Sequence, residues 1–136
     1  CKLGPLLCQL PPNLAFDRKV AEPALALMRT RHAGEIVIEP RHPTWKSEDA
    51  LDVLQGLAIH RVLADPPVIW NATDFDERPR YLRLHGKPKI YDSAYSADEI
   101  RDFRELVAPD GWCVFDNTAS GAATGNALAM LALNGR

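Results

Sequence analysis

Apolar and polar positions come in alternating blocks along this chain, and the period inside the blocks switches between two and about four. Leu3 to Leu10 is a short apolar run stopped by Pro11-Pro12, which predicts a buried strand. Asp17 to Arg31 follows, with Val20, Ala24, Leu27 and Met28 at helical spacing. Pro23 must lie in the first turn of that helix, or the helix kinks. Glu35 to Glu39 predicts a second strand, ended by Pro40. Ser47 reads as the N-cap of a helix carrying Leu51, Leu54 and Leu57, with Glu48 and Asp49 at its positive end. His60 to Asp65 is a third strand before Pro66-Pro67, and the turn-rich link Val68 to Pro79 leads to a fourth, Arg80 to His85. Ser96 caps a helix with Ile100, Phe103, Leu106 and Val107 on one face. Trp112 to Asp116 is the fifth strand, and Gly121 to Leu133 an Ala-rich final helix.

Strands alternating with helical segments predict right-handed crossovers and a parallel α/β sheet. Five strands fit an open doubly wound sheet or part of an eight-stranded (β/α) barrel, and the alternation alone leans to the open sheet. The strand interiors point the other way. Pleating puts Ile36 and Ile38 on one face and Val37 and Glu39 on the other. In the fourth strand Leu82 and Leu84 share a face, opposite Tyr81, Arg83 and His85. An open parallel sheet is apolar on both faces. A face ending in Glu, Asp, Arg and His suits the interior and upper rim of a TIM-type barrel. The reading is a single domain over 1–136, a parallel TIM-type barrel of which these are the last five strand–helix units, with the N-terminal strands absent.

Composition narrows the class without naming a function. The chain has 136 residues, is 46% hydrophobic and 25% charged, and carries a net charge of −2, with no global basic excess for nucleic acid. No apolar run is long enough to cross a bilayer. Cys1, Cys8 and Cys113 are odd in number and lack paired ligand spacing, which argues against a disulfide framework or zinc site and for a reducing, cytoplasmic location.

Candidate chemistry gathers at the strand ends. Gln9, Glu39, Arg41, Asp65, Arg83, His85, Asp116 and Asn117 lie at or just past the C-terminal ends of predicted strands, the edge where βα barrels hold their sites. Glu39, Asp65, His85 and Asp116 are the candidate catalytic residues. Carboxylates beside an imidazole divide acid and base roles or bind a divalent metal through hard oxygens, so the metal question stays open. Gln9, Arg41, Arg83, Asn117 and Ser120 are the candidate substrate and anion holders, the two arginines as a carboxylate or phosphate clamp. Strand parity aims Glu39, Arg41 and Asp65 into the same mouth as Arg83 and His85. The competing reading is a buried ion network filling that mouth. In the loop Asn117 to Gly121, free N–H groups at a helix start would suit phosphate, but close packing of Gly121, Ala122, Ala123 and Gly125 is the preferred account. Arg78 to Lys89 interleaves basic residues with Tyr81, yet Asp74, Asp76, Glu77 and Asp92 flank it, so a solvated loop is preferred over a nucleic-acid surface. Trp45 and Trp70 read as core more readily than as pocket walls, His32 and His60 as structural, and Cys8 and Cys113 as inert buried thiols.

Five motifs stand in one order. They are Gln9-Leu10-Pro11-Pro12, Ile38-Glu39-Pro40-Arg41-His42-Pro43-x-Trp45, Ala64-Asp65, Tyr81-Leu82-Arg83-Leu84-His85-Gly86, and Phe115-Asp116-Asn117-Thr118 with Gly125-Asn126-Ala127. Together, from Leu3 to about Leu131, the chain resembles domain-of-unknown-function family 72, the YecE-like proteins. The resemblance implies a TIM-type barrel with an N-terminal half for which no counterpart stands here. It implies no agreed activity, only a distant likeness to barrels of the endonuclease IV and xylose isomerase kind. The functional expectation is an enzyme acting on a phosphorylated, nucleic-acid or sugar-containing substrate at the barrel mouth. The alternatives are a non-catalytic anion or nucleic-acid module, or an inactive fragment that associates through exposed sheet edges. Oligomeric state is open.

Overall fold

The computed structural model describes residues 3–134; Cys1, counted above among the cysteines, lies outside them. The chain forms two compact units, Cys1–Arg61 and Val62–Arg136. The five strands are parallel, and their order follows the chain, β1-β2-β3-β4-β5, as the alternation predicts. The fold is α/β, as expected for part of a TIM-type barrel.

The first unit contains β1 (Leu6–Gln9), α1 (Arg18–Arg31), β2 (Ile36–Glu39), a 3-10 helix (Pro43–Lys46), α2 (Glu48–Gly56) and the start of β3 (Ile59–Asp65). Leu6 aligns with Ile36, Gln9 with Glu39, and Ile36 with Ile59. The Ser47 hydroxyl caps as expected, accepting from the Ala50 N–H, and the Asp17 carboxylate, not singled out as a cap from the sequence, accepts from the Lys19 N–H. Every residue of β2 is buried, Glu39 included. Trp45 is core, its indole N–H donating to the Leu14 carbonyl at 3.0 Å and its ring meeting Phe16 edge-on.

One expectation for α1 needs correction. The face proposed from Val20, Ala24, Leu27 and Met28 is not the buried one: Val20 is 64% and Leu27 58% exposed, whereas Leu25 is buried. The spacing Ala21, Leu25, Met28 is also helical, and that stripe, one position over, is the less exposed one. Pro23 stands inside the helix beyond its first turn. Its ring is on the exposed side, where water can satisfy the carbonyl that loses its bond, so the element continues through it.

Arg29 closes the N-terminal ends of the strands in this unit. Its Nε donates to the Leu57 carbonyl (3.0 Å), Nη1 to those of His32 (3.1 Å) and Gly34 (2.7 Å), and Nη2 to that of Ala58 (2.8 Å). One planar fork thus satisfies carbonyls at the ends of α1 and α2, which helix geometry leaves without partners.

The second unit contains the rest of β3, a 3-10 helix (Ala72–Asp74), β4 (Tyr81–Leu84), α3 (Ala97–Leu106), β5 (Trp112–Phe115) and α4 (Ala122–Asn134). No α-helix forms between β3 and β4, where Pro66, Pro67 and Pro79 punctuate the connection. Leu82 and Leu84 pack with Tyr95, Ile100, Phe103, Val107 and Met130 against α3 and α4. Each buried leucine contributes about 2 kcal/mol of transfer free energy. Tyr81, Arg83 and His85 therefore take the opposite face, as pleat parity requires. Ser96 and Glu99 form a reciprocal capping box at the start of α3. Among the described residues no helix is long and apolar enough to cross a membrane.

Candidate functional site

In the first unit the strand-end charges are Glu39 and Arg41. Glu39 is only 2% exposed and accepts from Arg41 Nη2 at 3.1 Å. Arg41 Nε is buried without a hydrogen-bond partner. A guanidinium with one arm on a carboxylate and a second donor unfilled is suited to an additional acceptor. Gln9, aligned with Glu39 across the β1–β2 ladder, is exposed.

In the second unit the strand-end charges converge on Asp116, which directly follows β5. Its Oδ2 accepts from Arg83 Nη2 at 2.9 Å, and His85 Nδ1 lies 3.1 Å from the same oxygen. Parallel registry explains the meeting: Arg83 aligns with Val114 and Leu84 with Phe115, so His85 and Asp116 leave the ladder side by side. The Asp116 N–H is still bonded to the Leu84 carbonyl at 2.8 Å. A carboxylate accepts, so Nδ1 of His85 is the donor in this pair, and the other ring nitrogen, Nε2, is buried. The His85 imidazole is buried, while Arg83 and Asp116 are partly open to solvent.

Asp65, at the end of β3, is tied to the same region through its own partners. Its Oδ2 accepts from the Tyr95 hydroxyl at 2.9 Å, and its Oδ1 lies 3.4 Å from Lys87 Nζ. The Asp65 carbonyl accepts from the His85 N–H at 2.8 Å. The Tyr95 hydroxyl also accepts from the Gly86 N–H at 2.8 Å. Burial first, then Asp65, raises the Tyr95 phenol well above its ordinary range, so it stays a donor to that carboxylate.

A polar brace holds the two loops that frame this cluster. Asn117, fully buried, donates through Nδ2 to the Ser93 carbonyl and to Asn126 Oδ1, both at 2.9 Å. Asn126 Oδ1 also accepts from the Tyr95 N–H, and its Nδ2 donates to the Tyr95 carbonyl. Ser120 donates to the Asp92 carbonyl. Asn117 and Ser120, expected as anion holders, thus sit in bracing contacts between the β4–α3 and β5–α4 loops.

Four residues of this region stand outside the candidate site set read from the sequence: Lys87, Tyr91 and Tyr95, met only in or beside the basic stretch, and Asn126, met only in a motif. Tyr91 meets the His85 ring edge-on, with centroids 5.3 Å apart. Asn126 had a usable signal, since an asparagine inside an apolar helix is unfavourable unless its amide has partners elsewhere. The solvated loop expected over Arg78 to Lys89 is confined to its ends, Arg78 and 87–89, because residues 79–86 are buried or half-buried in and around β4; Arg80 pairs with Asp110, Lys87 with Asp65 and Glu99, and Lys89 with Asp92. Trp70 is core. Among the described residues no group of three or more His, Cys, Asp or Glu side chains is placed to hold a metal ion.

Parallel strands in chain order, with a histidine, arginine and carboxylates at their C-terminal ends, define an α/β protein of the TIM-barrel class. Over residues 1–136 the chain matches the family described as "Protein of unknown function DUF72", and it belongs to that family. It is similar to the crystal structure of a DUF72 family protein from Thermotoga maritima, with 25% identity, a TM-score of 0.73, and coverage of 98% of this chain and 58% of that one. It also resembles two crystal structures of a DUF72 family protein from Enterococcus faecalis. One shares 21% identity, with a TM-score of 0.71 and coverage of 93% and 57%; the other shares 18%, with 0.69, 96% and 60%. The chain thus spans less than two thirds of the length of these relatives. No curated protein matches it.

Proposed function

We propose that the second unit carries the proton-transfer part of an enzyme site acting on a small phosphorylated or sugar-containing substrate. His85 exchanges the proton through Nε2, Asp116 orients the imidazole through Nδ1, and Arg83 supplies positive charge beside both. The observation that carries this reading is the convergence of Arg83 and His85 on one Asp116 oxygen, at 2.9 and 3.1 Å, at the C-terminal strand ends. A buried ring held in one tautomer by a carboxylate is the arrangement general acid–base chemistry requires. Asp65, fixed by Tyr95 and Lys87, is the second carboxylate available to substrate hydroxyls. In the first unit Arg41, with a buried donor unfilled, is proposed as an anion holder and Glu39 as its partner. A nucleic-acid module is less well supported, because Arg80, Lys87 and Lys89 are each neutralised by a carboxylate. The free thiols of Cys8 and Cys113 fit a cytoplasmic location.

The test titrates glucose-6-phosphate into isotope-labelled intact protein and follows the His85 ring nitrogens. The expected result is a shift of Nε2 that Arg83→Ala weakens. Conversion of the same compound, followed by chromatography, is expected to fall about 100-fold in His85→Gln at an unchanged melting temperature. No shift and no conversion in the wild-type protein would overturn the reading.

A further inference from the structure

The segment between His85 and α3 holds an aromatic side chain in an unusual setting. Tyr91 has φ of +67°, a backbone conformation that bulky side chains rarely adopt. The surroundings enforce it from both sides. The Tyr91 N–H donates to the His85 carbonyl at 2.6 Å, and the Tyr91 carbonyl accepts from the Ala119 N–H at 2.8 Å. The neighbours Asp92 and Ser93 are held by Ser120 and Asn117. Such over-determined backbone is found where a side chain must be presented in one place.

What is presented is a ring on top of the candidate general base. The ring planes of Tyr91 and His85 stand at 86°, and His85 is 3% exposed while Tyr91 is 43% exposed. A tyrosine serving only as packing would bury its ring, as Tyr81 and Tyr95 do. A half-open phenol on a fixed backbone, with its ring set edge-on against His85, is instead a surface on which a ligand ring can stack.

We propose that Tyr91 is a specificity-determining residue of the His85 site, selecting a sugar phosphate whose apolar ring face stacks on the phenol. This rests on the function proposed above and adds the ring to its substrate. The anionic group of the sugar phosphate lies toward Arg83, and the ring hydroxyls exchange protons with His85. Tyr91 itself moves no proton.

The experiment measures binding of glucose-6-phosphate and of acyclic glycerol-3-phosphate to the intact protein by calorimetry, in wild type, Tyr91→Phe and Tyr91→Gly. Glycine accepts the left-handed backbone, so Tyr91→Gly removes the ring without removing the conformation. Tyr91→Gly is expected to weaken glucose-6-phosphate about tenfold, the loss of one stacking contact, and glycerol-3-phosphate by less than about twofold. Tyr91→Phe is expected to keep both within about twofold of wild type. Equal weakening of the two ligands, or no weakening of the cyclic one, overturns the role of Tyr91 alone. A wild-type protein that binds neither ligand overturns this proposal together with the function beneath it.

Discussion

Arg29 in the first unit and Arg83 in the second are both firmly held arginines, and they differ in what holds them. Arg29 spends its guanidinium on four main-chain carbonyls, of Leu57, His32, Gly34 and Ala58, next to the N-terminal ends of β2 and β3. Arg83 lies near the C-terminal end of β4 and binds a side-chain carboxylate that His85 shares. In βα barrels the N-terminal strand ends serve stability and the C-terminal ends serve chemistry. The lesson is that a count of hydrogen bonds does not mark a site; the chemical kind of partner does. Main-chain carbonyls cannot titrate or be displaced by substrate, whereas a carboxylate beside an imidazole can do both.

The largest expected effect follows from that difference. Arg29→Ala leaves four carbonyls to find water and is expected to lower stability by about 3 kcal/mol, read from urea unfolding. Arg29→Lys is expected to recover little, because one ammonium cannot span the fork. Arg83→Ala, by contrast, is expected to cost about 1 kcal/mol, since Asp116 keeps His85 and some solvent. If the two substitutions cost the same, the division between a structural and a chemical arginine breaks.

Two glycines sharpen the same comparison at a smaller scale. Gly86 has φ of +89°, and a Cβ there would stand 2.6 Å from the Ser93 carbonyl oxygen and 3.1 Å from Asn117 Cβ. Neither neighbour can turn aside, because both belong to the loop brace. Gly86→Ala is expected to cost about 2 kcal/mol and to disturb the Gly86–Tyr95 bond beside His85. At Gly34 a Cβ would meet His32 Nε2 at 2.7 Å, the far end of a side chain that can rotate. Gly34→Ala is therefore expected to change stability by less than about 1 kcal/mol. Thermal unfolding of the two variants checks the ranking, and a reversed order would show that the brace around Gly86 yields easily.

Much of this was legible before any coordinates, for reasons tied to particular residues. Ser47 and Ser96 are short polar side chains ahead of apolar helical blocks, and each caps as expected. Leu82 and Leu84 against Arg83 and His85 is a period-two contrast, which fixes the two faces of β4 without knowledge of what covers them. The buried stripe of α1 was not legible, because Val20–Leu27 and Ala21–Leu25 are both helical spacings and only packing chooses between them. The Tyr95–Asp65 and Asn117–Asn126 bonds join distant positions through side chains with no local rule. The positive φ of Tyr91 depends on bonds to His85 and Ala119, so nothing near it in the chain announces it.

The smallest expected effect compares the two described cysteines. Burial raises the Cys8 thiol in the first unit, and it pushes the Cys113 thiol in the second up to about 11, with Arg104 pulling weakly the other way. A thiol raised in the folded state contributes its stability in full below its ordinary value of 9.0 and loses it as pH climbs through about 11. The contribution of the thiols to unfolding free energy is therefore expected to be level up to about pH 8 and to fall between about pH 9 and 11. The Tyr95 phenol, raised by the same cause, adds a loss of the same sign at higher pH still. Cys113→Ala is expected to flatten the decline between about pH 9 and 11 more than Cys8→Ala does, in urea titrations at stepped pH. Alkylation by iodoacetamide at about pH 8.5 is expected to be slower at Cys113 than at Cys8, since the thiolate is the reacting form. Equal flattening and equal alkylation would mean that the two thiols are buried alike, and that β5 is no better covered than β1.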